Sequence, residues 1–309
     1  GLQQKHNISR ETAKRVLGLL AEEGLIVQRA GKGSFVADLR PKQKVWGVVL
    51  PFYSTQYEDL LLRITGSAAT RDREVRHMCD YNNWQEEIRL VGTMLHERYE
   101  AILVIPTLDE SRTRDFYDRL SPQDSPVVLL DHTMTNNAFP CVIQSYDLGV
   151  VRAMNYLLEQ KSGSIAFVRD QFWGSRNMVQ ELMEETYLGF LNRYRPEVQP
   201  LVIARPEQVQ ADLLADSDIT GIFCCHDIGT VQILGRLKEQ GVRIPQDINL
   251  VSYGNTDLAR YFTPAITAID PHHSEMVDHL ITLLEPGMKD GRVEKQQFIA
   301  QPDLVVRET

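Results

Sequence analysis

The 309-residue sequence predicts an α/β protein, a small head followed by a large body of parallel, doubly wound sheets in two subdomains. Three observations carry that expectation. From residue 45 onward, strand-like apolar runs alternate with helical stretches. Before that point the pattern is one helix and two short strands. The charge divides at the same place: residues 1–44 hold nine Lys/Arg against four Asp/Glu, a net +5, which leaves −14 of the total −9 for the other 265 residues. A basic head suits a polyanionic partner, and an acidic body does not.

In the head, "NISRETAKRVLGLLAEEGLIVQRAGKGSFVA" places Ser9 at an N-cap, and Val16, Leu17, Leu19 and Leu20 give the helix after it one apolar face. Arg10, Thr12, Lys14 and Arg15 fall in its first two turns, where recognition helices meet base edges and phosphates. Gly24 is expected to end the helix. Leu25–Arg29 and Ser34–Ala37 read as two strands joined by Ala30, Gly31, Lys32 and Gly33. This Gly-Lys-Gly is not a nucleotide loop, because Gly24 is too far upstream and Lys32 is followed by Gly33 rather than a hydroxyl residue. A helix followed by a basic-tipped hairpin is a winged helix-turn-helix in outline.

In the body, "VWGVVLP", residues 45–51, is a continuous apolar run of the kind buried parallel strands show. Strands follow at "EVRHMCDY", "YEAILVIP", "PVVLLD", "CVIQS", "SIAFVRD", "LVIA", "ITGIFCC" and "INLVSYG", with helices between them such as "EDLLLRITGSAATRD", "QEEIRLVGTMLHER", "YDLGVVRAMNYLLEQ" and "TVQILGRLKEQG". So many units exceed one sheet. Two doubly wound subdomains facing a cleft are the simplest packing, with ligands at the C-terminal strand ends.

No apolar run of membrane-spanning length and no export signal stand in the sequence, so a cytoplasmic protein without membrane contact is expected. Cys79, Cys141, Cys224 and Cys225 lack metal-type spacing and read as buried reduced thiols; three consecutive residues, Cys225, His226 and Asp227, cannot easily turn to one ion. No metal, cofactor or catalytic residue is expected. The pair His272 and His273 invites an acid–base reading, but no triad spacing supports it, and the glycine fingerprint of dinucleotide sites is missing from "LPFYSTQ" after the first strand.

Residues 8–37 resemble the second half of the DNA-binding domain of the GntR family, with its Ser-Arg-x-Thr helix, Glu-Gly-Leu and Gly-x-Gly-x-Phe-Val wing. The resemblance implies DNA contact by Ser9, Arg10 and Thr12 and by the wing tip Gly31, Lys32 and Gly33, beside Lys14 and Arg15 on the same helix. Lys14 stands where that family usually has arginine, which keeps the charge and loses the bidentate fork. The family's first helix and most of its second precede this point and are not in the sequence, so tight operator binding is expected of a longer chain and weak binding of this one. "KVWGVVLP", "AILVIP", "VVLLD", "IFCCHDIGTVQILGRLKEQGVRIPQDINLVSYGNTDLARYFTPAITAI" and "LVVRET" resemble, in sequence and order, the sugar-binding domain of LacI/GalR-type regulators, itself similar to periplasmic binding proteins. This head on this body is the combination of arabinose-type repressors.

The expected layout is a partial winged-helix DNA-binding domain at 1–38, a linker at 39–44 and an effector-binding and dimerisation domain at 45–309. Its N-subdomain would cover about 45–144 and 271–297, and its C-subdomain about 145–270 and 298–309. The implied function is a homodimeric transcription regulator, by family expectation a repressor, that binds operator DNA and a monosaccharide. The rival readings are a stand-alone sugar-binding protein and a sugar-processing enzyme.

A sugar site needs carboxylates and amides for hydroxyls and aromatic rings for the apolar ring face. Strand ends supply Phe52, Tyr53, Asp131, Asp227 and Asn255. By the resemblance Asp131 and Asp227 are ligand carboxylates, although Asp227 could equally cap the helix near Gly229, and Phe52 and Tyr53 could be packing. In "RDQFWGSRNMVQELMEETYLGF" Arg176 is the expected donor and Trp173 the stacking face, with Glu184 the other candidate. His226 and Gly254 depart from the family, which usually has asparagine before the aspartate and an aspartate after the tyrosine. An arabinose-like pentose or fucose-like deoxyhexose fits; a phosphosugar does not suit so acidic a body.

Overall fold

The computed structural model describes residues 7–23, 25–29, 33–36, 42–108, 111–120, 127–160, 163–170, 177–290 and 296–309. The chain divides into two units, Gly1–Gln43 and Lys44–Thr309.

In the first unit, helix α1 (Arg10–Glu22) starts at Ser9, whose hydroxyl accepts the Thr12 amide at 3.1 Å. Strands β1 (Ile26–Arg29) and β2 (Gly33–Val36) pair antiparallel, Ile26 opposite Val36 and Arg29 opposite Gly33. The apolar face expected for α1 is only partly covered. Ala13 is its one buried side chain among the described residues, whereas Leu19 is 50% exposed and Val16 42%. A two-stranded hairpin is too narrow to bury a four-turn stripe. Gly24 and Ala37 lie outside the described residues.

The second unit holds two six-stranded sheets. The first has the order β13-β7-β6-β5-β3-β4, built from β3 (Gln43–Leu50), β4 (Glu74–Cys79), β5 (Tyr99–Val104), β6 (Val127–Asp131), β7 (Cys141–Gln144) and β13 (Gln297–Ala300). The second has the order β14-β12-β11-β10-β8-β9, from β8 (Ser164–Val168), β9 (Leu201–Ile203), β10 (Ile219–Cys224), β11 (Asn249–Tyr253), β12 (Thr267–Asp270) and β14 (Asp303–Val305). Neighbours run parallel in β3–β4, β5–β6–β7, β7–β13 and β9–β8–β10–β11–β12; β14 is antiparallel to β12.

Burial on both faces explains the uninterrupted apolar strands. In β3, Trp46, Val48 and Leu50 enter one core with α2 (Thr55–Ala69) and α10 (His273–Asp290), while Val45 and Val49 enter another with α3 (Trp84–His96). The second sheet repeats the device: Phe167, Phe223, Val251 and Tyr253 pack under α5 (Tyr146–Glu159) and α6 (Met178–Tyr194), and Val168, Ile222 and Leu250 under α8 (Asp227–Glu239). Short helices α4 (Arg114–Arg119), α7 (Ala211–Asp216) and α9 (Asp257–Tyr261) complete the lobes.

The chain crosses between sheets after β7, after β12 and after β13. The last crossing follows Ala300 rather than residue 297, because Gln297–Ala300 pair with Cys141–Gln144 of the first sheet. His272 and His273 serve this junction: His272 Nε2 lies 3.0 Å from the Asp303 carboxylate and His273 Nδ1 2.9 Å from that of Asp59. The cysteines are free thiols, three of them buried; Cys79 is half-buried, since it ends the edge strand β4.

Packing is close at Gly149 of α5, where an added Cβ would lie 2.6 Å from the Tyr253 ring and 3.2 Å from Ile269. Gly149→Ala would gain up to about 1 kcal/mol of helix propensity but cost roughly 1–3 kcal/mol in overpacking. The expected net effect is a melting temperature lower by a few degrees, read by thermal denaturation; an unchanged or higher value would contradict the close approach.

Candidate functional site

The two sheets of the second unit face a cavity of about 200 Å³, somewhat larger than the roughly 150 Å³ that accepts benzene in an engineered protein core. It lies at the C-terminal ends of β3, β8, β10 and β11, where open parallel sheets place ligands. Its size fits one small ring.

Three tyrosines form much of the wall: Tyr57 from the first turn of α2, Tyr146 from the start of α5 and Tyr253 from the end of β11. Tyr146 and Tyr253 stack at 5.3 Å between centroids, and Phe52 leans on Tyr57 at 5.2 Å. Their hydroxyls turn away from the cavity. Tyr57 and Tyr146 donate to Asp131 at 3.2 and 2.8 Å, and Tyr253 donates to Gln144 Oε1 at 2.6 Å. Gln144 Nε2 donates to Asp131 at 2.5 Å, and His132 places Nδ1 3.0 Å from the same carboxylate and Nε2 3.0 Å from the Pro106 carbonyl. The cavity is therefore bordered by buried rings whose polar ends join a network spanning both lobes.

Asp131 is thus placed differently from the sequence expectation. It is fully buried, at φ 68°, does not border the cavity and has its oxygens taken by four side chains. Burial alone would raise its pKa, but His132, Tyr146 and Gln144 outweigh it and hold it below the usual carboxylate value. The three tyrosines are pushed well above the usual phenol value, chiefly by burial and next by Asp131.

Asp227 borders the cavity, but its carboxylate is also engaged. Ser252 donates to one oxygen, and the Thr256 amide and hydroxyl donate to the other, each at 2.7 Å. Burial moves its pKa up, against these bonds. The helix cap that was open between readings belongs to His226, whose Nδ1 accepts the Gly229 amide at 3.3 Å. Its Nε2 lies 2.7 Å from Asp170; burial would lower its pKa, and the Asp170 carboxylate outweighs this, so the net direction is up. Gly254, at φ +136°, places its Cβ position 3.2 Å from Asp227, which leaves the usual aspartate no room here.

Phe52 and Tyr53 border the cavity, with Tyr53 46% exposed and edge-on to His77. Asn255 does not. It accepts from Arg307 and donates to Asp270 at 2.8 Å, on a second hollow between the lobes. Glu184 is bound to Arg169 at 2.9 Å and does not border the cavity, whereas Trp173 and Arg176 lie outside the described residues. The missed wall residues Tyr57, Tyr146, Gln56, Asp170 and Met183 share one signal, a position just after a strand end or on the helix facing it. Across the cleft, Met178 N donates to Leu108 O at 3.3 Å; Leu108 and Thr107 are anchored in turn by Asn82 and by buried Glu87, which accept their amides at 2.8 and 2.6 Å.

In the first unit, Ser9, Arg10, Thr12, Lys14 and Arg15 are exposed on the first turns of α1 or its cap, and the Ser9 and Thr12 hydroxyls lie 2.9 Å apart. Gly33 begins β2, whereas Gly31 and Lys32 lie outside the described residues. Among the described residues no cluster of three metal-ligating side chains occurs, and no helix is long and apolar enough to cross a membrane.

Two parallel α/β lobes around a shared cavity define the class of bilobal small-molecule-binding domains. A model of the periplasmic binding protein-like domain matches residues 154–309, half of the chain, and the chain belongs to that family. Among its relatives are the HTH-type transcriptional repressor PurR of Vibrio atlanticus, 25% identical over 74% of this chain and 69% of that protein, and the arabinose metabolism transcriptional repressor of Halalkalibacterium halodurans, 23% identical over 99% and 88%. Similar solved structures include a periplasmic binding protein/LacI transcriptional regulator from Alkaliphilus metalliredigens complexed with D-xylulofuranose, at TM-score 0.71 and 18% identity over 86% of this chain and 99% of that one. A CelR–cellobiose complex gives TM-score 0.71 and 17% identity over 97% and 91%.

Proposed function

We propose that this chain is a ligand-controlled transcriptional repressor: a monosaccharide in the cavity sets the affinity of its head for operator DNA. The observation that carries the reading is the ring-walled cavity between two lobes joined by three crossings, a geometry in which one small ligand can fix the angle between lobes. The relatives that are repressors support the DNA half of it, and the alignment with the arabinose metabolism repressor reaches 99% of this chain, head included.

In this reading α1 is a recognition helix and the β1–β2 hairpin a GntR-type wing, with Arg10, Thr12, Lys14 and Arg15 toward DNA. Two copies act as a homodimer in the cytoplasm. Sugar closes the cleft, alters the spacing of the paired heads and so lowers operator affinity. Phe52, the three tyrosines and the Asp170–His226 pair receive the ligand, with Trp173 and Arg176 as further contacts. The chain binds rather than transforms its ligand.

The test is retardation of a DNA fragment flanking the gene, with and without neutral monosaccharides. Retardation that weakens steeply with salt, and about 10- to 100-fold with one sugar, is expected. Binding indifferent to every sugar would defeat effector control, and a protein that retards no fragment, even with additional N-terminal sequence, would defeat the repressor reading.

A further inference from the structure

Strand β4 ends at Cys79, and the chain turns through Asp80, Tyr81 and Asn82 toward α3. Tyr81 and Asn82 both stand in the left-handed region, at φ 55°, which is costly for an aromatic residue and persists only where the surroundings hold it. Two bonds to Asn82 hold the turn here. The Asp80 carboxyl accepts the Asn82 amide at 2.8 Å, and the Asn82 side-chain oxygen accepts the Leu108 amide at 2.8 Å. The Leu108 carbonyl in turn accepts Met178 N of the second lobe at 3.3 Å. A chain of three hydrogen bonds thus runs from a buried carboxyl of the first lobe, through a strained turn, to a backbone bridge between the lobes.

The carboxyl at the root of this chain is badly placed for charge. Asp80 is 1% exposed, and its second oxygen is buried without a partner. Glu87 of α3, itself fully buried, repels its charge, as does the half-buried Glu86; Tyr57 of α2, Tyr117 of α4 and Cys79 of its own strand feel it, and His132, after β6, acts on Glu87. Burial first, and then Glu87, push the Asp80 pKa up to about 8. We propose that Asp80 is a proton-dependent clasp on the cleft: protonated, it keeps the Tyr81–Asn82 turn and the Leu108–Met178 bridge in place; ionised, it leaves the turn for water and lets the lobes part. Leu108 also borders the ligand cavity, so release opens the wall as well as the mouth. The clasped state holds the proton more tightly than the released state, whose carboxyl returns toward the ordinary value of about 4. Release therefore becomes easier as pH rises toward about 8 and gains nothing further above it. The clasp acts whatever ligand the cavity takes.

The test is the distance between spin labels on the two lobes of the full chain, measured by pulsed electron paramagnetic resonance without ligand. Genetically encoded ketone side chains at the exposed positions Asp118 of α4 and Glu185 of α6 carry the labels and leave the cysteines untouched. In wild type the ratio of short to long distances is expected to fall at least about 10-fold between about pH 6 and about pH 8, and to level off beyond. Asp80→Asn accepts the Asn82 amide with no charge to place, and should keep the short distance throughout. Asn82→Gly tolerates the left-handed turn but cuts the link to Leu108, so it should show the long distance already at about pH 6, without further change. A wild-type distance indifferent to pH, or either variant following the wild-type profile, would overturn the proposal. So would a loss of helical circular dichroism in step with the distance change, which would mean unfolding rather than parting of the lobes.

Discussion

Asp131→Ala is expected to cost about 3–5 kcal/mol, a fall in melting temperature of roughly 10 °C, and to abolish ligand-induced shifts. The substitution removes the acceptor of Tyr57, Tyr146, Gln144 and His132 at once, in a place without solvent to replace it. Tyr57 and Gln144 belong to the first lobe and its exit, and Tyr146 to the second, so the loss falls on the wall and the junction together. Asp131→Asn keeps one acceptor oxygen and should cost less. Because the folded-state pKa of Asp131 lies below its ordinary value, its contribution is fully present above the unfolded pKa of about 4 and is lost as pH falls toward the folded value. The gap between wild type and Asp131→Ala in urea unfolding should therefore narrow below about pH 4; a gap that is small at pH 7 would remove Asp131 from its place at the centre of the network.

The second large effect has the opposite sign. Asp80 is 1% exposed, accepts the Asn82 amide at 2.8 Å on one oxygen and leaves the other buried without a partner. Burial first, and then the charge of Glu87, push its pKa up to about 8. Between the unfolded value near 4 and about 8, the folded state holds a proton that the unfolded state has released, so this residue lowers stability progressively as pH rises through that window. Four units correspond to about 5 kcal/mol as an upper figure. Asp80→Asn, which keeps the oxygen facing Asn82, should be the more stable protein at pH 8 by about 2–5 kcal/mol and equal to wild type near pH 4. Parallel pH profiles for the two proteins in urea unfolding would show that Asp80 is ionised in the fold.

The architecture was legible because parallel strands buried on both faces leave an unmistakable record. Val45, Trp46, Val48 and Val49 must all be apolar when two cores flank one strand. The general location of the site followed, since turns at C-terminal strand ends carry the chemistry. Side-chain direction did not. Asp131 reads as a strand-end carboxylate aimed at a ligand, yet its left-handed backbone turns it behind the wall, where His132 and three other groups hold it. Tyr57, Tyr146 and Tyr253 have the periodicity of core residues because they are core residues that also border the cavity. Asn255 looked like a pocket amide, but its partners Asp270 and Arg307 come from segments distant in sequence, so no local pattern announces its turn toward the junction. The last crossing of the lobes, out of β13, was misplaced for a similar reason: only the pairing with Cys141–Gln144 assigns Gln297–Ala300 to the first sheet.

The bond from Met178 N to Leu108 O spans the mouth of the cleft and ties backbone to backbone. Side chains can trade partners when lobes part; this amide, at the first turn of α6, has no earlier carbonyl in its own helix to fall back on. Its proton is thus shielded from exchange with water only while the lobes meet, which makes one peptide group a clock for the opening of the whole domain, readable without label or ligand.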